Sequence, residues 1–190
     1  GSKMPPATNV YGGSAGVSIF LENAAAVLDD ANARELADRA MKGLKSARHV
    51  DSRDHASWAK GQMMGADGLY TGDAGVGQAF LVRHLLRHDA EALTDAIDVG
   101  DALIARARTD DNEMSWGAQE DIIFGDAGTA LFLLELGQAS KEKRFLDAAK
   151  AVGHSLVAAA AHAASKADPA KQLPVWMFHM GGKELHMPNF

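Results

Sequence analysis

Gly68-Leu69-Tyr70-Thr71-Gly72-Asp73-Ala74-Gly75-Val76-Gly77-Gln78-Ala79-Phe80-Leu81 is the stretch on which the fold turns. Two glycines three apart precede an apolar run, and the arrangement occurs twice more. Asn9 to Leu21 holds Gly13-Ser14-Ala15-Gly16, and Asp121 to Leu133 holds Gly125-Asp126-Ala127-Gly128. The leading glycines stand 59 and 53 residues apart. Behind each motif comes a second apolar pattern, spaced by threes and fours. It reads Ala33, Leu36, Ala37, Ala40, Leu44; then Leu93, Ala96, Ile97, Leu103, Ile104, Ala107; then Phe145, Ala148, Ala149, Val152, Leu156, Val157, Ala160. Such spacing marks one face of an α-helix. Each second helix carries one glycine (Gly43, Gly100, Gly153), and a tryptophan follows it at Trp58, Trp116 and Trp176. Four markers kept in one order define a repeat.

The repeat predicts two helices and a loop in roughly 55 residues. The first helix of each pair is apolar over most of its surface (Val17, Ile19, Phe20, Leu21; Ala79, Phe80, Leu81; Ala130 to Leu134), which predicts burial. The second sets charges such as Arg34, Glu35, Asp38 and Arg39 opposite its stripe, which predicts an outer helix facing solvent. Stacked and curved, such pairs make an all-α fold, an α/α toroid with inner and outer layers. Glycine disfavours a helix by about 1 kcal/mol relative to alanine, so the motif glycines must serve close approach or a special loop conformation. Asn9, Gly68 and Asp121, four residues ahead of the leading glycines, are turn and cap formers. Asp73 and Asp126 fall at the positive end of a helix dipole.

Composition narrows the function. The chain has 190 residues, 47% of them hydrophobic and 23% charged, enough for one domain with a core. A formal charge of −6 argues against a nucleic-acid groove. No apolar run approaches the roughly 20 residues of a membrane span, the longest being Leu156 to Ala164. Without cysteine there are no disulfides, thiolate metal ligands or cysteine nucleophile. A cytoplasmic location is expected. Residues 1–8 read as a tag remnant or flexible N-terminus.

The three glycine motifs, together with the terminal Met187-Pro188-Asn189-Phe190, resemble those of lanthionine synthetase C-like (LanC-like) proteins from about Asn9 onward. The resemblance implies a double-layered barrel of seven helical hairpins around a zinc ion. The zinc activates a peptide cysteine thiol, which adds to a dehydrated serine or threonine and closes a thioether ring. It further implies that residues 9–190 are an N-terminal portion, an incomplete arc of about three hairpins. The repeats fall at about 9–66, 67–120 and 121–186, and a fourth starts at 187–190. The family's two cysteine ligands and one histidine belong to later repeats, so no cofactor is expected in this chain and zinc only in the full-length protein. The portion alone is expected to be inactive. Its expected partners are the peptide substrate and either a second copy or the remaining C-terminal portion, because the end hairpins lack neighbours.

Asp121 is the one catalytic candidate the resemblance carries over, with an acid–base role in the full-length protein; its alternative role is capping. His84 and His88, four apart, and His179 and His186 have metal-compatible spacing but no evident acidic or sulfur partner. Trp58, Trp116 and Trp176 read as packing anchors between outer and inner helices, or else as a carbohydrate-stacking set. Asp67, Asp73, Asp121 and Asp126 could supply the acid–base pair of a glycoside-processing α/α barrel. A non-catalytic scaffold binding peptides in its concave face is the third reading. Thr109 to Glu113 is expected to be a solvated loop.

Overall fold

The computed structural model describes residues 7–52, 54–59, 65–117, 119–167, 176–180 and 183–187, with backbone only beyond residue 160. Among these residues six helices form three successive hairpins. The inner helices are α1 (Ser14–Leu28), α3 (Asp73–Arg87) and α5 (Asp126–Ser140), each of 15 residues. Their outer partners are α2 (Ala31–Ser46), α4 (Ala90–Arg106) and α6 (Lys143–Ala167). Within a hairpin the outer helix packs on its inner one, and α3 packs between α1 and α5. The result is the predicted arc of an α/α toroid.

Each hairpin turns in two residues. A left-handed residue ends the inner helix (Asp29 at φ 51, His88 at φ 55, Lys141 at φ 64). In the first two hairpins an aspartate then caps the outer helix. Asp30 accepts from the Asn32 and Ala33 amides, and Asp89 from the Ala92 amide.

The inner helices start differently, with no side-chain cap at Gly13, Gly72 or Gly125. The loop ahead folds back and offers carbonyls instead. Ser14 donates to the Ala7 carbonyl (3.0 Å), Asp73 to Ala66 (2.8 Å) and Asp126 to Gln119 (2.8 Å). That return brings the loop backbone against the helix. A Cβ on either glycine of each motif would collide with a carbonyl of its own loop. Special dihedrals are not the reason, since the leading glycines are extended, with φ of −125°, −124° and −116°. The second glycine also receives the previous repeat. A Cβ on Gly75 would lie 2.7 Å from Val10 Cγ2, and one on Gly128 2.8 Å from Leu69 Cβ. Ala7 and Thr8 thus belong to the folded unit, and the Thr8 hydroxyl, nearly buried, donates to the Trp58 carbonyl.

One core runs along the arc. Phe80, Phe132, Phe145, Leu44, Leu81, Leu103, Leu133 and Leu136 are fully buried, each stabilising by about 1.5–3 kcal/mol. In the second interface the Phe132 ring fills the notch left by Gly77. The outer stripes match the predicted faces except at Leu36 and Val157, which are exposed. Among the outer glycines, Gly100 admits Leu136 and Phe145, while Gly43 and Gly153 face open space.

Two expectations need correction. Inner helices α1 and α5 are not buried all round: Val17, Phe20, Val27 and Leu28 are 56–80% exposed, and Leu131 and Leu134 are 37% and 41% exposed, because among the described residues no hairpin packs on those faces. And the loops after the outer helices carry short antiparallel ribbons. These are β1 (His49–Val50) with β2 (Ala56–Ser57), β3 (Arg108–Asp110) with β4 (Glu113–Ser115), and β5 (Trp176–Met180) with β6 (Lys183–Met187). The Thr109–Glu113 run is therefore a ribbon turning at Asp111, though its side chains are exposed as expected.

Candidate functional site

The turns ahead of α1, α3 and α5 line up at one end of the inner layer. A backbone ladder joins them: the Tyr11 amide donates to the Tyr70 carbonyl (2.9 Å) and the Tyr70 amide to the Ile123 carbonyl (3.1 Å). All four candidate carboxylates lie in these turns or the first helical residues behind them.

Asp73, fully buried, is held on every side. Its Oδ1 accepts the Trp58 and Ala59 amides (2.8 and 2.6 Å), and its Oδ2 takes Arg106 Nη2 at 2.6 Å. Arg106 ends α4 and is itself buried. Its Nε lies 2.5 Å from Asp67 Oδ1, and its Nη1 donates to the Ala56 carbonyl. Burial disfavours that charge, but the two carboxylates outweigh it and raise the guanidinium's pKa. Asp126 repeats the role of Asp73 one hairpin on, accepting the Trp116 amide at 3.1 Å. Burial pushes the Asp126 carboxyl up, and the nearby Asp67 charge adds to this.

Asp121 sits in the turn rather than capping a helix. Its Oδ1 accepts the Ile123 and Phe124 amides (2.6 and 2.9 Å), while Oδ2 is buried without a hydrogen-bond partner among the described residues. Asn9 plays the corresponding part in the first repeat, accepting the Gly12 amide.

The tryptophans join the layers. Trp116 donates Nε1 to the Leu103 carbonyl of α4 while its amide binds Asp126 of α5. Trp58 is buried, with the Arg48 guanidinium 5.5 Å over its ring. The side chains of Trp176, His179 and His186 lie outside the described residues, as do residues 188–190.

His84 bonds the Asp89 carbonyl through Nδ1, and His88 is an exposed left-handed cap. Neither joins a metal site; among the described residues no three His, Asp or Glu side chains are grouped so as to hold a metal ion. The zinc implied by the resemblance does not fit the donors present, since thiolates are absent from the sequence.

Sequence reading missed the charge network between hairpins one and two. Glu22, buried on α1, receives Arg83 Nη1 at 3.1 Å and Arg87 Nε at 2.6 Å. Both arginines also hold Asp38, and Arg83 holds Asp89. Burial works against the Asp38 charge, yet the two arginines hold its carboxyl below the ordinary value. The Arg83 hydrogen bond does the same for Asp89. A carboxylate on the apolar face of α1 was the available signal.

A family described as lanthionine synthetase C-like protein has a sequence model that matches residues 5–174. The chain belongs to this family. A family 76 glycoside hydrolase from a bovine Bacteroides thetaiotaomicron strain matches this LanC-like chain at 20% identity and TM-score 0.59, covering 88% of it and 36% of the hydrolase. A family 76 mannosidase from B. thetaiotaomicron VPI-5482 matches at 16% identity and TM-score 0.58, covering 88% and 46%. The LanC-like chain thus spans less than half the length of either enzyme. No curated protein matches it. Among the described residues no helix is long and apolar enough to cross a membrane.

Proposed function

We propose that these residues are part of a cytoplasmic, ring-shaped α/α enzyme that works by carboxylate acid–base chemistry on an oligosaccharide. Asp121 is the reacting group they contribute. The observation that carries the reading is the state of the four carboxylates. Asp67 and Asp73 are committed to Arg106, and Asp126 to the Trp116 amide. Asp121 differs: two amides fix Oδ1, and buried Oδ2 has no partner among the described residues. A carboxylate oriented in this way is equipped to take up or deliver a proton. Glycoside cleavage uses two carboxylates, and the remainder of the ring would supply the second. The substrate class is supported by the glycoside hydrolases that share the fold.

A second reading is favoured by the family match and the glycine motifs. A peptide cysteine would add to a dehydrated serine or threonine, Asp121 moving the proton, with metal ligands drawn from outside this chain. On either reading the repeats at about 9–66, 67–120 and 121–186 are the building units.

Calorimetric titration of the chain with manno-oligosaccharides tests the proposal. Binding should weaken in Asp121→Asn, which retains an Oδ1 acceptor for both amides. Binding of a dehydrobutyrine peptide without the sugar would transfer the assignment to the second reading. If neither binds, the proposal fails.

A further inference from the structure

The turns at the mouth of the inner layer carry an aromatic edge that the carboxylates do not explain. Tyr11 and Tyr70 hold the same place in their repeats, two residues ahead of the leading glycine, and Ile123 holds it in the third. All three are exposed, at 79%, 38% and 36%. Tyr70 is the telling one, since a neighbouring turn is bonded to it on either side and its side chain is still exposed. The cause lies one residue earlier. Val10 and Leu69 seat over the second glycine of the following repeat, at Gly75 and Gly128, so the next side chain is left outside.

The backbone ladder sets these side chains in a row. The Tyr11 amide donates to the Tyr70 carbonyl and the Tyr70 amide to the Ile123 carbonyl, which spaces neighbouring turns by about 4.8 Å, as between paired strands. The Ile123 amide then donates to Asp121 Oδ1 at 2.6 Å. The row leads from Tyr11 through Tyr70 to the carboxylate whose Oδ2 has no partner among the described residues.

Resting on the reading of Asp121 as the reacting group, we propose that Tyr11 and Tyr70 form a stacking rim for an uncharged oligosaccharide. The sugar lies across the turns with successive rings on the tyrosine faces and one glycosidic oxygen at Asp121. Tyrosine suits the task, because the apolar C–H face of a sugar meets the electron-rich face of an aromatic ring. Its hydroxyl stays available for the hydroxyls of the sugar. Residues 9–13, 68–72 and 121–125 hold no lysine or arginine, and their one charge is Asp121; nothing in them attracts an anion. A peptide laid along the rim would ask for main-chain donors. The amides of Tyr11, Tyr70, Ile123 and Phe124 are already committed, and that of Gly12 to Asn9, so strand-like pairing has no donors at these positions. Trp58 is buried and Trp116 is tied to the Leu103 carbonyl, which leaves the stacking to the tyrosines.

Calorimetric titration with a short and a long manno-oligosaccharide tests the rim, with circular dichroism to check that each variant folds. Tyr70→Ala should weaken binding of both sugars about fivefold to tenfold, the worth of one stacked aromatic contact. Tyr70→Phe keeps the ring face and should recover most of that affinity. Tyr11→Ala, one turn further from Asp121, should spare the short sugar and weaken the long one. Leu85→Ala, exposed near the far end of α3, should change neither. If Asp121→Asn weakens binding while both alanine variants at the tyrosines bind like the parent, the rim is overturned and the reacting group stands. If those alanine variants bind weakly and Asp121→Asn binds like the parent, the rim stands and the reacting group falls. Equal losses in Tyr70→Phe and Tyr70→Ala, a loss seen with a dehydrobutyrine peptide instead of the sugar, or no binding of sugar by the parent chain would each overturn the rim.

Discussion

Arg106 Nη2 lies 2.6 Å from Asp73 Oδ2, an ion pair in which the arginine side chain is 3% exposed and the aspartate not at all. It ties the end of an outer helix to the start of an inner one, beneath the Trp58 loop. Removing one member of such a pair strands the other in low dielectric, at a cost of about 3–5 kcal/mol. Arg106→Met should lower stability by that amount in urea unfolding. Arg106→Lys should recover only part, since one ammonium cannot span Asp67, Asp73 and the Ala56 carbonyl in a fixed fork.

Not all glycines here do the same work. Gly75→Ala drives a methyl into the Leu69 carbonyl and Val10, and overpacking against backbone should cost about 3 kcal/mol, the upper end of the usual range. Gly153→Ala, in a helix with open space around it, should gain about 0.5–1 kcal/mol. Thermal melts of the two variants should move in opposite directions.

Acidity should act on Asp126 and Asp89 with opposite sign. Burial raises the folded-state pKa of Asp126, so the fold holds its proton more tightly than the unfolded chain does. Its contribution is fully present below the ordinary value of 3.8 and is lost as pH rises through the raised one. Asp126→Asn retains an acceptor for Trp116, so its stability relative to the parent should improve between pH 3.5 and 7 (about the span of the carboxylate titration). Arg83 lowers Asp89, whose contribution is present above the ordinary value and lost on acidification through the lowered one. Asp89→Asn should therefore be most harmful near neutrality. Urea curves at the two pH values check both.

Salt should separate the buried network from the surface pairs. Glu22→Ala removes the carboxylate shared by Arg83 and Arg87, which keep Asp38 and Asp89. A loss of about 2–3 kcal/mol is expected, below the full cost of an orphaned pair, and nearly unchanged by added salt. Lys143→Ala breaks a pair whose side chains are 83% and 58% exposed, and should stay within about 0.5 kcal/mol. Unfolding with and without 0.5 M salt (a Debye length of roughly 4 Å) distinguishes them.

The repeat was readable because helical period and glycine spacing are local properties. Ala33, Ala37 and Leu44 announce a buried stripe, and they are buried. What escaped reading depends on how one hairpin meets the next. Arg83 and Arg87 gave no sign of Glu22, the partner that α1 brings against them. Arg106 gave no sign of reaching Asp67 and Asp73, 39 and 33 residues away. The ribbons escaped because strands of two to five residues are too short to display a period.

Because each inner helix is sealed by carbonyls of its own loop, the fold asks little of the side chains at Ala7 and Ala66. Main-chain geometry alone satisfies those amides. Such a rim tolerates sequence drift: new chemistry can be tried there by substitution while the glycines behind it hold the architecture constant. Divergent catalysts on a shared frame are the natural outcome of that division of labour.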